Sequence, residues 1–259
     1  MTSPLIRFSG IKKSFGPKVV YSGLDLEIQR GEALTIVGGS GVGKSVMLKL
    51  LIGLLTPEAG SIVFDGREVT QMNERELSEV RRRIAMLFQS GALFDSLTVG
   101  ENVAYGLNEH YFRTLSRAEI RERVAWALAA VDLPGIEGMR PSDLSGGMRK
   151  RVGLARAIAL RPEVVLYDEP TTGLDPISTA RVSHLIVGLK KRMNITTVVV
   201  THDMKSAFIV SDRIAMVASG RIIAVGPVDE FRRSKDPRVS DFIEGRAPEK
   251  EDVETLLNA

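Results

Sequence analysis

The chain has 259 residues, of which 44% are hydrophobic and 26% are charged. This length and composition can bury a sizeable core in one large domain or two small ones, which excludes a disordered protein. The formal net charge of +3 is too small to indicate nucleic-acid binding, and the lack of cysteine excludes disulfides and thiolate metal sites.

The N-terminal residues MTSPLIRFSG lack the apolar run after a basic segment that a secretory signal requires. The most apolar stretches, such as 50–55 and 195–200, are much shorter than the ~20 residues of a bilayer span. We therefore expect a cytosolic protein that reaches a membrane only through a partner.

The first third of the chain predicts strands followed by a phosphate-binding loop. Residues 5–37 are predicted to form strands, ending in the apolar run Ala33–Val37, and helical spacing continues over 46–55. The loop between them fits G-x-x-x-x-G-K-[ST] and comprises Gly38, Gly39, Ser40, Gly41, Val42, Gly43, Lys44 and Ser45. Its glycines let backbone N–H groups face phosphate oxygens, while Lys44 bridges the outer phosphates and Ser45 holds Mg²⁺.

Further strands are predicted after this loop, and they alternate with helices. They are Ile62–Asp65, Ile84–Phe88, Val164–Tyr167, Ile195–Val200 and a hairpin of Arg213–Ala218 with Arg221–Val225. Such alternation is typical of an α/β domain with a mainly parallel sheet.

The segment between Gln89 and Arg151 has the pattern of an inserted helical subdomain. Ser116 and Glu119 form a capping box. The apolar stripe that follows contains Ile120, Val124, Leu128 and Val131, and a later amphipathic helix carries Val182, Ile186, Leu189 and Met193. We expect a loosely held C-terminal extension from about Pro227, where charged residues become frequent. The predicted division is a phosphate-binding core in residues 1–90 and 149–228, an inserted helical subdomain in 91–148 and the extension in 229–259.

Polar residues follow three of the predicted strands. Asp168 and Glu169 end the strand that begins at Val164, at the sheet edge where ligands of α/β proteins bind. Alternation turns them to different sides, so that Asp168 suits a position next to Mg²⁺ and Glu169 a general base beside the attacking water. His202 can contact the terminal phosphate, although a lone histidine is more often an ordinary surface residue. Gln89 can reach both Mg²⁺ and the inserted segment.

A second anion cradle closes the helical segment. Leu144-Ser-Gly-Gly-Met-Arg-Lys-Arg151 precedes an apolar helix over 152–160, so that Ser145 and the N–H groups of Gly146 and Gly147 lie at a helix start. The order of the phosphate loop, Gln89, this segment, Asp168-Glu169, Gly173-Leu-Asp-Pro176 and His202 resembles the ATP-binding subunits of ABC transporters over residues 5–228.

The resemblance implies a P-loop, RecA-like nucleotide-binding domain with an antiparallel β subdomain and an inserted helical subdomain. It implies a head-to-tail homodimer with two ATP molecules in its interface, each held by the phosphate loop of one subunit and Ser145, Gly146 and Gly147 of the other. Phe15 matches the aromatic residue that stacks on adenine, although it is also a candidate core residue. Asp175 matches the position that couples the two sites.

Two departures from the common family pattern resemble the lipid-handling Mla/Mkl group. Met148 stands where Gln is usual, and a characteristic segment, residues 90–103, follows Gln89. Members of this group work with a membrane permease, a periplasmic lipid-binding subunit and often a small cytosolic accessory protein. The apolar residues Ala92, Leu93, Phe94 and Leu97 suit either a groove for the permease or ordinary core packing. Val253, Leu256 and Leu257 suit either a partner contact or a frayed tail.

The sequence therefore predicts an ATPase that dimerises on Mg-ATP at the cytoplasmic face of the bacterial inner membrane. It is expected to drive a permease that moves phospholipid or a related lipid between the inner and outer membranes. One alternative is an importer of amino acids or other small solutes, and another is a non-transport ABC protein of DNA repair, translation or cell-wall signalling. A GTPase is disfavoured because no Asn-Lys-x-Asp guanine reader is present.

Overall fold

Strands and helices alternate through most of the chain, as the sequence predicts. The computed structural model describes residues 3–89, 91–111 and 113–246. The strands in these residues are β1 (Ile6–Phe15), β2 (Lys18–Ile28), β3 (Ala33–Val37), β4 (Ala59–Phe64), β5 (Arg67–Glu68), β6 (Ile84–Leu87), β7 (Val164–Asp168), β8 (Thr196–Val200), β9 (Arg213–Ala218) and β10 (Arg221–Pro227). The helices are α1 (Lys44–Leu51), α2 (Glu74–Arg83), α3 (Val99–Tyr111), α4 (Arg117–Ala130), α5 (Gly146–Ala159), α6 (Pro176–Met193), α7 (Met204–Val210), α8 (Val228–Arg232) and α9 (Pro237–Glu244).

The larger sheet has six strands in the order β10-β9-β3-β8-β7-β6. All neighbouring pairs are parallel except the edge pair of β10 and β9. Every residue of β3, β7 and β8 is buried, because helices cover both faces of the sheet. The predicted α/β class is confirmed, and the carboxyl ends of β3, β6, β7 and β8 meet at one edge.

The smaller sheet has four strands in the order β2-β1-β4-β5, and all of its pairs are antiparallel. Its inner face packs on α1 through a shared core that includes Phe8, Ile62, Met47 and Leu48. This sheet corresponds to the predicted antiparallel β subdomain, and it supports the loop between β3 and α1 from one side.

In the helical segment, α3 and α4 pack against α5, and their core continues onto α6 and the large sheet. Ser116 and Glu119 form the predicted capping box at the start of α4. Helix α5 begins at Gly146 and continues to Ala159, so it spans both sides of the predicted boundary between residues 148 and 149. A Cβ at Gly153 would lie 2.9 Å from Cδ1 of Leu87, which shows how closely α5 approaches the end of β6.

The start of the C-terminal extension is packed, which corrects the expectation of a loosely held segment after Pro227. Phe231 of α8 and Val239 of α9 are buried against β9 and α7. The expectation was wrong because charged residues cover only the outer faces of these short helices. The predicted contacts of Val253, Leu256 and Leu257 lie outside the described residues. Among the helices described, none is long and apolar enough to cross a bilayer.

Candidate functional site

The phosphate-binding loop predicted from the sequence connects β3 to α1. β3 ends at Val37 and α1 begins at Lys44, so the loop wraps around the start of the helix. Gly43 has a φ of +105°, and a Cβ there would lie 2.4 Å from Cγ1 of Val20. The loop therefore needs glycine at this position for its backbone conformation and for its close contact with β2.

Lys44 and the backbone form a positively charged cradle. Nζ of Lys44 donates hydrogen bonds to the carbonyl oxygens of Gly38 (2.9 Å) and Gly39 (2.8 Å). Burial lowers the pKa of this ammonium group, and the nearby carboxylates, Glu169 first, oppose that effect. The hydroxyl of Tyr21 donates to the carbonyl oxygen of Gly43 at 2.6 Å and fixes the end of the loop. A fixed cation beside backbone N–H groups at a helix start is suited to bind a polyphosphate.

Asp168 lies at the end of β7 and accepts a hydrogen bond from the hydroxyl of Ser45 at 2.6 Å. Burial raises the pKa of its carboxyl group, and the hydrogen bond from Ser45 partly offsets the rise. The two oxygen donors are the hard ligands that Mg²⁺ prefers. Within the residues described, no cluster of three or more His, Cys, Asp or Glu side chains could hold a metal ion. A cation at this pair would therefore depend on additional oxygen ligands.

Glu169 is held by several partners in an unusual backbone conformation. Its φ is +49°, in the left-handed region that few residues other than glycine adopt. Its Oε2 accepts hydrogen bonds from the hydroxyls of Thr172 and Thr201, both at 3.1 Å. Its Oε1 lies 3.0 Å from Nδ1 of His202. The Glu169 side chain is 12% exposed and the His202 side chain is 61% exposed, so the carboxylate is enclosed while the imidazole faces solvent.

Lys44, Ser45, Glu169 and His202 line one open cavity of about 840 Å³, whereas Asp168, Gly38 and Val42 are not among its lining residues. The predicted site residues that line it are Gly39, Ser40, Gly41, Gly43, Lys44, Ser45, Gln89, Glu169 and His202. Gln89 is exposed and follows β6, whose last residue, Leu87, pairs with Tyr167 of β7. The structure thus brings together loops from β3, β6, β7 and β8 at the carboxyl edge of the sheet.

Phe15 lies outside this cavity, at the end of β1. It is 46% exposed, so the interpretation of Phe15 as a core residue is wrong. Nζ of Lys13 lies 5.2 Å from the centroid of its ring. The ring presents an accessible surface next to the turn between β1 and β2, as a residue that stacks on a base would require.

The second cradle is built at the start of α5. Ser145 is the N-cap, and its hydroxyl accepts a hydrogen bond from the N–H of Met148 at 3.2 Å. Ser145 and Gly146 are exposed, and Gly147 is half-buried. None of these three residues is among the described residues that line the 840 Å³ cavity. The structure does not bring the two cradles together within one chain.

Asp175 caps α6 in a similar way. Its Oδ1 accepts hydrogen bonds from the N–H groups of Ile177 and Ser178, both at 3.0 Å. Hydrogen bonding from Ser178 lowers the pKa of its carboxyl group. Asp175 therefore carries a stable negative charge on the exposed loop that precedes α6.

Helix α9 forms a wall of the cavity that sequence reasoning missed. The lining residues from this helix and its end are Asp241, Phe242, Gly245 and Arg246. Arg246 forms an ion pair with Glu244. The spacing of Val239, Phe242 and Ile243 was a usable signal for a packed helix, but nothing in it indicated the surface that the helix would meet.

Comparison with known proteins places these features in a family. A model of the ABC transporter family matches residues 21–172. The chain is 41% identical over 247 residues, 95% of this chain and 93% of the relative, to the intermembrane phospholipid transport system ATP-binding protein MlaF of Haemophilus influenzae. It is 42% identical over 241 residues, 93% of this chain and 67% of the relative, to the probable ribonucleotide transport ATP-binding protein Mkl of Mycobacterium bovis.

A solved structure agrees with these sequence relatives. A dimeric ATP-binding cassette in a post-hydrolysis state with ADP and Pi superposes with a TM-score of 0.79 and is 31% identical, covering 86% of this chain and 98% of that one. The predicted nucleotide-binding fold and the resemblance to the Mla/Mkl group are confirmed. The chain belongs to the ABC transporter family and is one of its ATPase subunits.

Proposed function

We propose that this ATPase drives a permease that moves phospholipid or a related lipid between the inner and outer membranes of a bacterium. The observation that carries the proposal is the similarity to MlaF over nearly the whole length of both chains. The name of Mkl, a probable ribonucleotide transport protein, favours a small-solute transporter instead, and that relative extends well beyond the part that this chain matches. A small solute is therefore the second candidate cargo.

ATP hydrolysis requires a bound polyphosphate and an activated water. Lys44 and the loop N–H groups bind the phosphates, and Glu169 is placed to orient the attacking water and accept its proton. The hydroxyls of Thr172 and Thr201 hold one carboxylate oxygen, and His202 lies at the other. Most of the barrier is lowered by positioning and by stabilising charge on the phosphoryl group.

Mg²⁺ fits the oxygen donors of this site. Ser45 and Asp168 already lie within hydrogen-bond distance of each other, and Gln89 lines the same cavity and offers an amide oxygen. Hydroxyl, carboxylate and amide oxygens are typical ligands of this ion. When bound, Mg²⁺ would neutralise charge on the phosphate oxygens and leave Glu169 free to act on the water.

A second copy of the chain completes each site in this proposal. Ser145, Gly146 and Gly147 form an anion cradle that does not line the nucleotide cavity of their own chain, so a second chain brings a cradle to that cavity. In the head-to-tail homodimer, each nucleotide contacts the phosphate loop of one chain and the Ser145 cradle of the other. Asp175, exposed and negatively charged at the start of α6, lies on the loop that would cross the interface.

The permease contact involves the segment that follows Gln89. Phe94 is 42% exposed and its ring lies 4.7 Å from that of Tyr105, which is 43% exposed. Ala92 is also exposed, whereas Leu93 and Leu97 are half-buried, so one part of this segment packs inward and another remains accessible. We assign the accessible part to a permease helix at the cytoplasmic face of the inner membrane. A periplasmic lipid-binding subunit and a small cytosolic accessory protein complete the proposed assembly.

Capture of a stalled complex tests the proposal. Glu169→Gln keeps the size and polarity of the side chain but removes the base, so we expect ATP binding to remain and turnover to fall about 10²- to 10⁴-fold. Tagged Glu169→Gln protein is purified with ATP from native membranes in mild detergent, with mass spectrometry of its partners and extraction of its lipids. Glu79→Gln, on an exposed carboxylate of α2, is the matched control.

Recovery of a permease with a periplasmic lipid-binding subunit and bound phospholipid would support the lipid assignment. A solute-binding protein in their place would support the small-solute candidate, and ribosomal or DNA-repair proteins would support a non-transport role. Turnover of Glu169→Gln within about threefold of wild type would remove Glu169 from the role of base.

A further inference from the structure

A buried lysine contacts the backbone of the catalytic segment. Lys150 lies on α5 and is 7% exposed. Its Nζ donates a hydrogen bond to the carbonyl oxygen of Thr172 and another, at 3.4 Å, to that of Glu169. Burial lowers the pKa of this ammonium group, and the negative charge of Glu169 opposes that effect. One side chain therefore joins both ends of the turn that begins at Glu169.

This turn needs an external support. Glu169 has a φ of +49°, and a residue with a Cβ keeps a left-handed conformation only when its surroundings impose it. The N–H of Glu169 donates to the carbonyl oxygen of Val200 at 2.9 Å, and the N–H of Thr172 donates to the carbonyl oxygen of Glu169 at 3.3 Å. Lys150 adds a charged donor that reaches the carbonyl groups at both ends of the turn.

We infer that Lys150 is a positioning residue that holds the Glu169 carboxylate in its catalytic geometry and links it to the signature at the start of the same helix. The inference rests on the proposed role of Glu169 as the base. Lys150 lies four residues after Gly146, about one helical turn. A shift of α5 when its start binds the partner's nucleotide would therefore reach Glu169 of its own site through a single side chain.

The first test compares two buried cations of α5. Lys150→Met keeps the aliphatic length and removes the donors, so we expect kcat to fall about 10- to 100-fold while the KM for ATP stays within about twofold. Lys150→Arg retains a charged donor and is expected to recover part of kcat. Arg151→Met is the matched control, because Arg151 is 9% exposed and donates to the carbonyl groups of Val131 and Asp132 instead.

The second test separates the two sites of a dimer. In dimers of two differently tagged copies, Glu169→Gln in one copy leaves a single active base in the other. Lys150→Met in the copy with the active base is expected to lower turnover. The same change in the Glu169→Gln copy, whose signature completes the active site, is expected to leave turnover within about twofold.

Three results would overturn the inference. These are an unchanged kcat in Lys150→Met, an equal loss in Arg151→Met, and a loss in mixed dimers that does not depend on which copy carries the change. Thermal unfolding of each variant shows whether a loss of kcat comes from misfolding. If Lys150→Met misfolds, the test is whether the folded Lys150→Arg variant has a kcat above that of Lys150→Met, as the inference requires. If Glu169→Gln itself retains turnover, the assignment of the base is wrong, and that result is separate from the first three.

Discussion

Gly43→Ala is expected to destabilise the protein through one clash and one strained backbone angle. A Cβ at Gly43 would lie 2.4 Å from Cγ1 of Val20 and 3.1 Å from the hydroxyl of Tyr21, whereas carbon atoms in contact are about 3.5–4.0 Å apart. Overpacking of a core costs about 1–3 kcal/mol. The φ of +105° adds about 1–3 kcal/mol for a residue with a Cβ. We therefore expect the free energy of unfolding to fall by about 2–6 kcal/mol.

A double-mutant cycle measured by urea unfolding separates the two causes. Val20→Ala removes the clashing methyl group, so the combined variant is expected to recover the overpacking part of the loss and to keep the part due to backbone strain. Gly66→Ala is a control for strain alone, since its φ is +78° and a Cβ there would meet nothing within 4 Å. Additive losses in the double variant, or a Gly43→Ala protein as stable as wild type, would refute this account of the loop.

Two further predictions concern residues of the nucleotide site. Arg246→Ala is expected to raise the KM for ATP severalfold in steady-state assays, because it removes a cation from the cavity wall just after α9. Arg238→Ala, which disrupts the ion pair with Asp236 at the start of α9, is expected to leave KM unchanged. Burial raises the pKa of Asp168 above the ordinary 3.8. The protonated carboxyl group therefore favours the folded state at low pH, and this contribution is lost as the pH rises from 3.8 through the raised pKa. Asp168→Asn is therefore expected to stabilise the nucleotide-free protein at pH 7 in urea unfolding, with a gain that shrinks on acidification. Asp95→Asn, on an exposed carboxylate, is the surface control.

Local sequence patterns were sufficient for the parts of the site that follow strands. Glu169, Gln89 and His202 could be predicted to converge because parallel strands end at one edge of a sheet. Residues that directly follow such strands therefore lie close together in space. The phosphate loop could be predicted because its glycines are required by the backbone conformation of the loop, as the positive φ of Gly43 shows.

Long-range contacts could not be predicted in the same way. Lys150 received no role of its own from the sequence, because the sequence does not show that its side chain reaches the carbonyl groups of Glu169 and Thr172. The charged residues around α9 indicated a loosely held tail, but the apolar residues of α9 pack against α7 and β9. In both cases the decisive partner is distant in the chain, and periodicity gives no information about partners.

Met148 lies at the start of α5, at the position where glutamine is usual in the family. Its side chain is half-buried and packs against the core that α5 shares with α3, α4, α6 and the large sheet, whereas Ser145 and Gly146 are exposed. Its N–H donates to the hydroxyl of Ser145 and fixes that side chain at the start of α5. The anion cradle then consists of the serine hydroxyl and backbone N–H groups, whose donor strength does not depend on the residue at position 148. Because the half-buried side chain of Met148 packs on this core, its substitution by glutamine would place an amide against apolar residues. It would thus affect the stability of the helical segment before it affected the contact with nucleotide.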